Sequence, residues 1–298
     1  MAMRTDGDNW DIVSSVGRTA LGVATFRALE TARPDALIED HYARWFVEAA
    51  GDEQFTALLA DPSPLEDLPF FFPGFMGVRT RFFDDHFDSA AADGVTQAVI
   101  VAAGLDARAY RLDWPAGATV YEVDQPKVLE FKAEVLAAHG ARPRADRRVV
   151  AVDLREDWPA ALTAAGFDPD RPTAWSAEGL LPYLPGAAHD ALFDRIDGLS
   201  AGGSRIAVDG FGAGMDVRRF VALRDKYFGD RPFGGMDVAA LFYDDERADP
   251  DRWLTDHGWT VRRCTPIELA TSYGVQIPEL PEDLADLART AAYLTAAK

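Results

Sequence analysis

QAVIVAAGLDARAYRL, residues 97–112, is the stretch that decides the fold. Residues 97–103 are apolar at nearly every position rather than at alternate ones, the pattern of a central strand in a parallel sheet covered by helices on both faces. Gly104 breaks the run, and a short helix follows. A chain turning there from strand to helix leaves unpaired backbone N–H groups at the carboxyl end of a sheet, where open α/β folds bind ligands. A dinucleotide fingerprint needs three glycines so that the backbone can approach a pyrophosphate, and residues 102–107 (AAGLDA) supply one. A nucleoside without phosphates fits the turn better.

Downstream, residues 118–124 (ATVYEVD) read as a second strand closed by Pro126. Period-2 alternation puts Glu122 and Asp124 on one face, with Asp124 at the carboxyl end. Asp124 lies twenty residues beyond Gly104, the separation at which an acid on the second strand meets ribose hydroxyls. Either acid could instead cap a helix or pair with Lys127 or Lys132; ribose is favoured for Asp124 and a structural role for Glu122. A helix over 126–140 and a third strand over 147–152 lead to Asp153-Leu154-Arg155. An acid at that strand end can accept from the exocyclic amine of adenine while the next backbone N–H reaches a ring nitrogen. The fourth strand, 172–178, ends at Glu178, which either holds an ammonium group or caps a helix, and 179–183 follows as a loop ending in Tyr183. A helix over 187–199 and a strand over 204–210 come next, then mixed composition over about 211–250, expected as an insertion near the substrate. A helix over 252–257 and strands over 259–265 and 293–296 complete the pattern.

Upstream, helices are expected over 12–32 and 35–50, the first ending before Pro34. The segment Phe70-Phe71-Phe72-Pro73-Gly74-Phe75-Met76 either covers a pocket as a lid or packs the N-terminal helices onto the core. Helix 77–91 carries Arg79 and Arg81 near its start. Cations there oppose the helix dipole, so at least one is expected to have an anionic partner.

At 298 residues the chain can bury a full core and is expected to form a single domain, residues 1–95 being an N-terminal helical extension with the lid and 96–298 the α/β core. A net charge of −19 argues against nucleic acid as a partner. One cysteine, Cys264, excludes an intrachain disulfide and a multi-cysteine metal site. The polar start and the absence of a long apolar run predict a cytoplasmic protein that does not enter a membrane. Metal-ligand clusters are missing, so no metal is expected.

Taken together, SSVGRTALGVATFRALET, RTRFFDD, AAGLDARAYRL, EVDQP, VDLR and WSAEGLLPYL, in that order, resemble the leucine carboxyl methyltransferase family, most closely an actinobacterial branch of S-adenosyl-L-methionine-dependent methyltransferases of unassigned substrate. The resemblance implies an α/β, Rossmann-like class I methyltransferase fold: a seven-stranded, mostly parallel sheet whose last strand inserts antiparallel, plus the N-terminal helical extension. It also implies S-adenosyl-L-methionine as cofactor. The family's contacts fall on Arg79 for the methionine carboxylate, Ala102 to Gly104 for the methionine end, Asp124 for ribose, Asp153 and Leu154 for adenine and Glu178 for the amino group; whether Arg79 or Arg81 takes the carboxylate is open. Ala102 stands where the family has glycine. Nothing in the sequence carries over the protein C-terminus that the eukaryotic members recognise.

Methyl transfer from a sulfonium is an in-line displacement, so alignment in a dry site is the main task. A carboxylate acceptor needs no base, whereas an alcohol, phenol or ammonium must lose a proton. His41, His86, His139, His189 and His257 are scattered away from the predicted strand ends, which favours a carboxylate or another readily ionised oxygen of a small metabolite. Tyr183 is the candidate for orienting that acceptor. A non-catalytic protein that senses S-adenosylmethionine or scaffolds a partner is the alternative from another class, and a nicotinamide-dependent oxidoreductase is a more distant one.

Overall fold

The computed structural model describes residues 15–65, 74–211, 217–228, 241–243 and 245–298. Strand β1, Gln97–Val101, is buried at all five positions, and its alternation divides the core in two. Ala98 and Ile100 face a cluster built by α1 (Ser15–Thr31), α2 (His41–Ala50), α3 (Glu53–Ala60), α4 (Phe75–Ala92) and, beyond the short α5 (Arg108–Arg111), α6 (Pro126–Ala138). Val99 and Val101 face the opposite cluster, covered by α7 (Trp158–Ala164), α8 (Gly186–Gly198) and α10 (Pro250–Asp256). Two-sided burial is why this strand reads as a continuous apolar run.

The other strands are β2 (Thr119–Asp124), β3 (Asp146–Ala151), β4 (Thr173–Ala177), β5 (Arg205–Phe211), β6 (Thr260–Cys264) and β7 (Ala291–Ala297). They form one seven-stranded sheet in the order β3-β2-β1-β4-β5-β7-β6. Strands β1 to β5 pair in parallel, while β7 runs antiparallel between β5 and β6, so the expected Rossmann-like sheet with an inserted antiparallel last strand is what the chain forms. Register positions the site. Val101 lies opposite Val123 and Ala177, and Asp124 opposite Ala151, so the carboxyl ends of four adjacent strands finish at nearly one level.

Several local expectations change. Residues 35–40 are not helical: the Leu37 N–H donates to Glu30 Oε1 and the Asp40 N–H to Thr31 Oγ1, tying the segment back onto α1, and Asp40 then caps α2 through Ala43 N. Strand β1 stops at Val101, two residues early, because Ala102 is left-handed with φ 54°. The stretch 211–250, read as having no period, contains α9 (Val217–Phe228), whose Leu223 packs with Leu284 and Leu287 of α12 (Glu282–Thr290) in a small cluster apart from the sheet. Helices α3, α7, α11 (Pro266–Ser272) and α12 add to the elements expected from the sequence; they are short, and α3, α7 and α11 are started by side-chain caps at Asp52, Asp157 and Thr265. Of the aromatic segment at 70–76, residues 70–73 lie outside the described residues, whereas Phe75 and Met76 open α4. Among the described residues no helix is long and apolar enough to cross a membrane, and no group of three or more side chains could hold a metal ion.

Candidate functional site

The site begins where β1 leaves the sheet. The Ala103 N–H still donates to Val123 O at 3.0 Å, but Ala102 and Gly104, at φ 54° and 47°, turn the chain sharply on either side of it. Left-handed φ is costly for any residue with a Cβ, and Ala102 is the one non-glycine that adopts it among the described residues. At Gly104 the requirement is conformational rather than spatial, since an added Cβ would meet Ala20 at an ordinary 3.6 Å. The turn aims the Gly104 N–H at Asp124 Oδ2, 2.6 Å away, and Asp124 Oδ1 accepts from Gln125 N at 2.7 Å. Burial pushes the Asp124 carboxyl above its usual pKa, against the opposing pull of those two N–H groups.

Beside it, at the end of β3, Asp153 accepts from Arg155 N at 2.8 Å and from the Arg155 guanidinium, and Gln125 Nε2 reaches Oδ2 at 3.1 Å. On the other side of β1, Glu178 follows β4 and lies between two guanidiniums: Oε2 accepts from Arg108 Nη1 at 2.8 Å, and Oε1 is 3.5 Å from Arg79 Nη1. Arg79 descends from the second turn of α4 and donates through Nε to Asp209 Oδ2 at 2.7 Å, which supplies the anionic partner expected for a cation near the helix start. Burial disfavours its charge, but Asp209 and Glu178 outweigh this and hold its pKa above the ordinary arginine value. Gly179 makes the arrangement possible. At φ 65° its N–H reaches Asp209 Oδ1 at 2.6 Å, and a Cβ there would come within 2.5 Å of Arg79 Nη2. Arg81, the other candidate, is half exposed and pairs with Asp85.

These groups share one cavity of about 350 Å³. Arg79, Ala102, Gly104, Asp124, Asp153, Leu154, Glu178 and Tyr183 all line it, so every site residue named from the sequence is brought to one place. Gly17, Thr19, Ala20 and Val23 of α1 close one side, and Leu184, Pro185 and Tyr243 lie with Tyr183 on another. None of the five histidines contributes to the lining. His86 is buried, with burial dragging its pKa down to about 3; His139 and His257 stack on Trp45 and Trp253; His189 is buried beside Asp190; His41 is exposed.

Some participants were not singled out in the sequence. Arg108, 1% exposed, binds Asp84 Oδ1 at 2.7 Å, Asp106 and Glu178. Burial raises the carboxyls of Asp84 and Asp106, yet Arg111 and Arg108 around Asp84, and Arg108 and Lys132 around Asp106, overcome it and hold both below the usual range. Arg27 of α1 lines the cavity, donates to Leu105 O and pairs with Asp40. Asp209 and Tyr243 complete the set. A paired acid and base within residues 105–108, Asp106 and Arg108, was visible, but only the fold shows that both are buried and which carboxylates they meet. Glu122, by contrast, is fully buried between Lys132 (2.8 Å) and Arg147 (2.6 Å), the structural role expected of it.

The model of the family described as "Leucine carboxyl methyltransferase" matches residues 20–197. A Rhodococcus jostii (strain RHA1) protein, named a "putative S-adenosyl-L-methionine-dependent methyltransferase", is 72% identical over 99% of this chain and 100% of its own. A Mycobacterium tuberculosis (strain H37Ra) protein of the same name is 51% identical over 100% of this chain and 97% of its own. Among solved structures, a "putative methyltransferase" from Thermobifida fusca YX superposes with a TM-score of 0.52 at 15% identity, covering 93% of this chain and 94% of that one, a likeness of fold.

Proposed function

The chain belongs to the leucine carboxyl methyltransferase family, and from that premise we propose that it is an S-adenosyl-L-methionine-dependent methyltransferase acting on a carboxylate or hydroxyl oxygen of a small metabolite. The observation that carries the reading is the donor and acceptor set along one wall of the cavity: Asp153, Asp124, the Gly104 turn, then Glu178 with Arg79. In that order the set suits adenine, a ribose diol, and the ammonium and carboxylate of an amino-acid end. Asp124 in particular has capacity to spare. A carboxylate offers about four lone-pair positions, and two are taken by Gly104 N and Gln125 N, which leaves two adjacent ones for a vicinal diol. A cavity of about 350 Å³ is within the range of ligand pockets.

When bound, the cofactor supplies a methyl group on an electrophilic sulfonium. The chain's part is to hold and align. Glu178 and Arg79 take the two charges of the amino-acid end, Asp124 fixes the ribose, and Asp153 with the Leu154 backbone receives the adenine. The cover formed by α1 limits water. With no histidine in the described lining, an acceptor already ionised at neutral pH is the one best served, and Tyr183, which lines the same cavity, is the residue that orients it in this reading.

Purified protein titrated with S-adenosyl-L-methionine should bind it, and incubation with a panel of small carboxylic acids and phenols should yield S-adenosyl-L-homocysteine. Failure to bind would remove the cofactor reading; binding without turnover across the panel would favour a sensor over an enzyme.

A further inference from the structure

Glu178, like Asp106 and Arg79, belongs to a buried ionic network and reaches the cavity wall, and the closer of its two cations is Arg108 rather than Arg79 (2.8 Å against 3.5 Å). Arg108 is held on every side. Its backbone N–H donates to Asp106 Oδ1 at 2.6 Å, Nε to Asp84 Oδ1 at 2.7 Å, Nη1 to Asp106 and Glu178, and Nη2 to Thr80 O at 3.3 Å, while the guanidinium lies over the Phe83 ring at 5.5 Å. Asp84 is gripped in turn by Arg111 at 2.5 and 2.6 Å. Anchors on α4 and α5 therefore converge on one carboxylate at the end of β4.

Burying this many charges is an expensive way to join two helices to a strand, since apolar side chains of similar volume would hold them together at less cost. What apolar packing would lack is a fixed direction. Glu has three rotatable side-chain bonds, and a carboxylate that must wait in one orientation for a ligand does so at least cost when a rigid, planar guanidinium already holds it. Arg79, which pairs first with Asp209, is then left as the cation beside that carboxylate at the cavity.

We propose that Arg108 is a positioning residue for Glu178, holding its carboxylate from behind so that it meets the ammonium of the cofactor's amino-acid end in one orientation. The inference rests on the cofactor reading above, and it concerns one end of the ligand only. Arg108 itself is absent from the cavity lining and should not touch the nucleoside.

Calorimetric titration with two probes tests this: S-adenosyl-L-homocysteine, which carries the amino-acid end, and 5′-methylthioadenosine, which keeps the nucleoside and lacks that end. Arg108→Lys retains the charge and loses the fork; Asp84→Asn loosens Arg108 without altering Glu178. Both variants should bind S-adenosyl-L-homocysteine more weakly, by about tenfold or more for Arg108→Lys, and 5′-methylthioadenosine within about twofold of the unsubstituted protein. Retained 5′-methylthioadenosine binding also shows that the variant is folded. Equal losses for both probes would assign Arg108 to the fold alone and overturn the proposal, as would unchanged binding of both. An unsubstituted protein that takes neither probe would instead defeat the cofactor reading, and this inference with it.

Discussion

Asp124→Asn isolates the carboxylate on which the cofactor reading most depends. In the native protein Oδ2 and Oδ1 accept from Gly104 N at 2.6 Å and Gln125 N at 2.7 Å, each retaining a lone pair, and the residue lines the cavity. The amide has one oxygen. Whichever way it is turned, its NH₂ faces either Gly104 N–H or Gln125 N–H, donor against donor, so the turn loses one bond at a cost of about 1–3 kcal/mol in stability. One ribose hydroxyl loses a charge-assisted acceptor and the other keeps a neutral one. The expected loss of binding is about 1.5–3 kcal/mol, roughly ten- to a hundredfold in Kd. The pH dependence provides a second reading. Burial raises the Asp124 pKa and so favours the neutral acid in the empty protein, whereas hydroxyl donors favour the carboxylate. Native affinity should therefore fall as pH drops through that raised pKa, with protons released on binding there, and the variant should lose this dependence. Calorimetry with S-adenosyl-L-methionine across an acid-to-neutral series measures both. A Kd within about twofold of native at neutral pH, or the same acid-side slope in both proteins, would refute the role given to Asp124.

Gly179→Ala puts a Cβ where Arg79 Nη2 lies 2.5 Å away and at φ 65°; it should cost about 1–3 kcal/mol in stability and weaken S-adenosyl-L-homocysteine binding, read by melting and calorimetry, and unchanged binding would show that Arg79 can move without consequence. Ala102→Gly removes left-handed strain of about 1–2 kcal/mol while adding about 0.5–1 kcal/mol of unfolded-state entropy, so the variant should unfold at the same or slightly higher denaturant concentration, a clear fall being the contrary result. His86, held neutral by burial with a pKa of about 3, adds stability that is complete above its unfolded value near 6.5 and is lost as pH falls toward 3; at pH 5 the loss is about 2 kcal/mol. Urea unfolding between pH 7 and 5 should accordingly be less pH-dependent in His86→Gln, and equal slopes would mean that His86 can be protonated without cost. Glu122→Gln leaves Lys132 and Arg147 without their buried anion and should destabilise the protein by about 3–5 kcal/mol in the same assay.

Much of the site could be read along the chain because its determinants are local. Residues 97–103 announce a two-sided strand, Gly104 a turn, and the twenty-residue interval to Asp124 matches the Gly104–Asp124 hydrogen bond the fold makes. Alternation placed Glu122 and Asp124 on one face but did not separate their fates; Lys132 and Arg147, on α6 and β3, enclose the first, and the cavity meets the second. Helix α9 leaves a weak local signature because its Leu223 packs with Leu284 and Leu287 of α12, so that apolar position answers to a neighbour far along the chain.

The succession of strands and helices along the chain, the Gly104 turn and the carboxyl-end acids Asp124, Asp153 and Glu178 were determined by the sequence itself, since apolar runs, glycine breaks and residue intervals act between near neighbours. The ionic partners were decided by tertiary structure alone. Arg79 meets Asp209 across 130 positions and Arg108 meets Glu178 across 70, pairings that exist because parallel register levels the strand ends beneath α4 and α5. A buried charge must find its counter-charge wherever the fold brings one within reach, and no local pattern records that encounter.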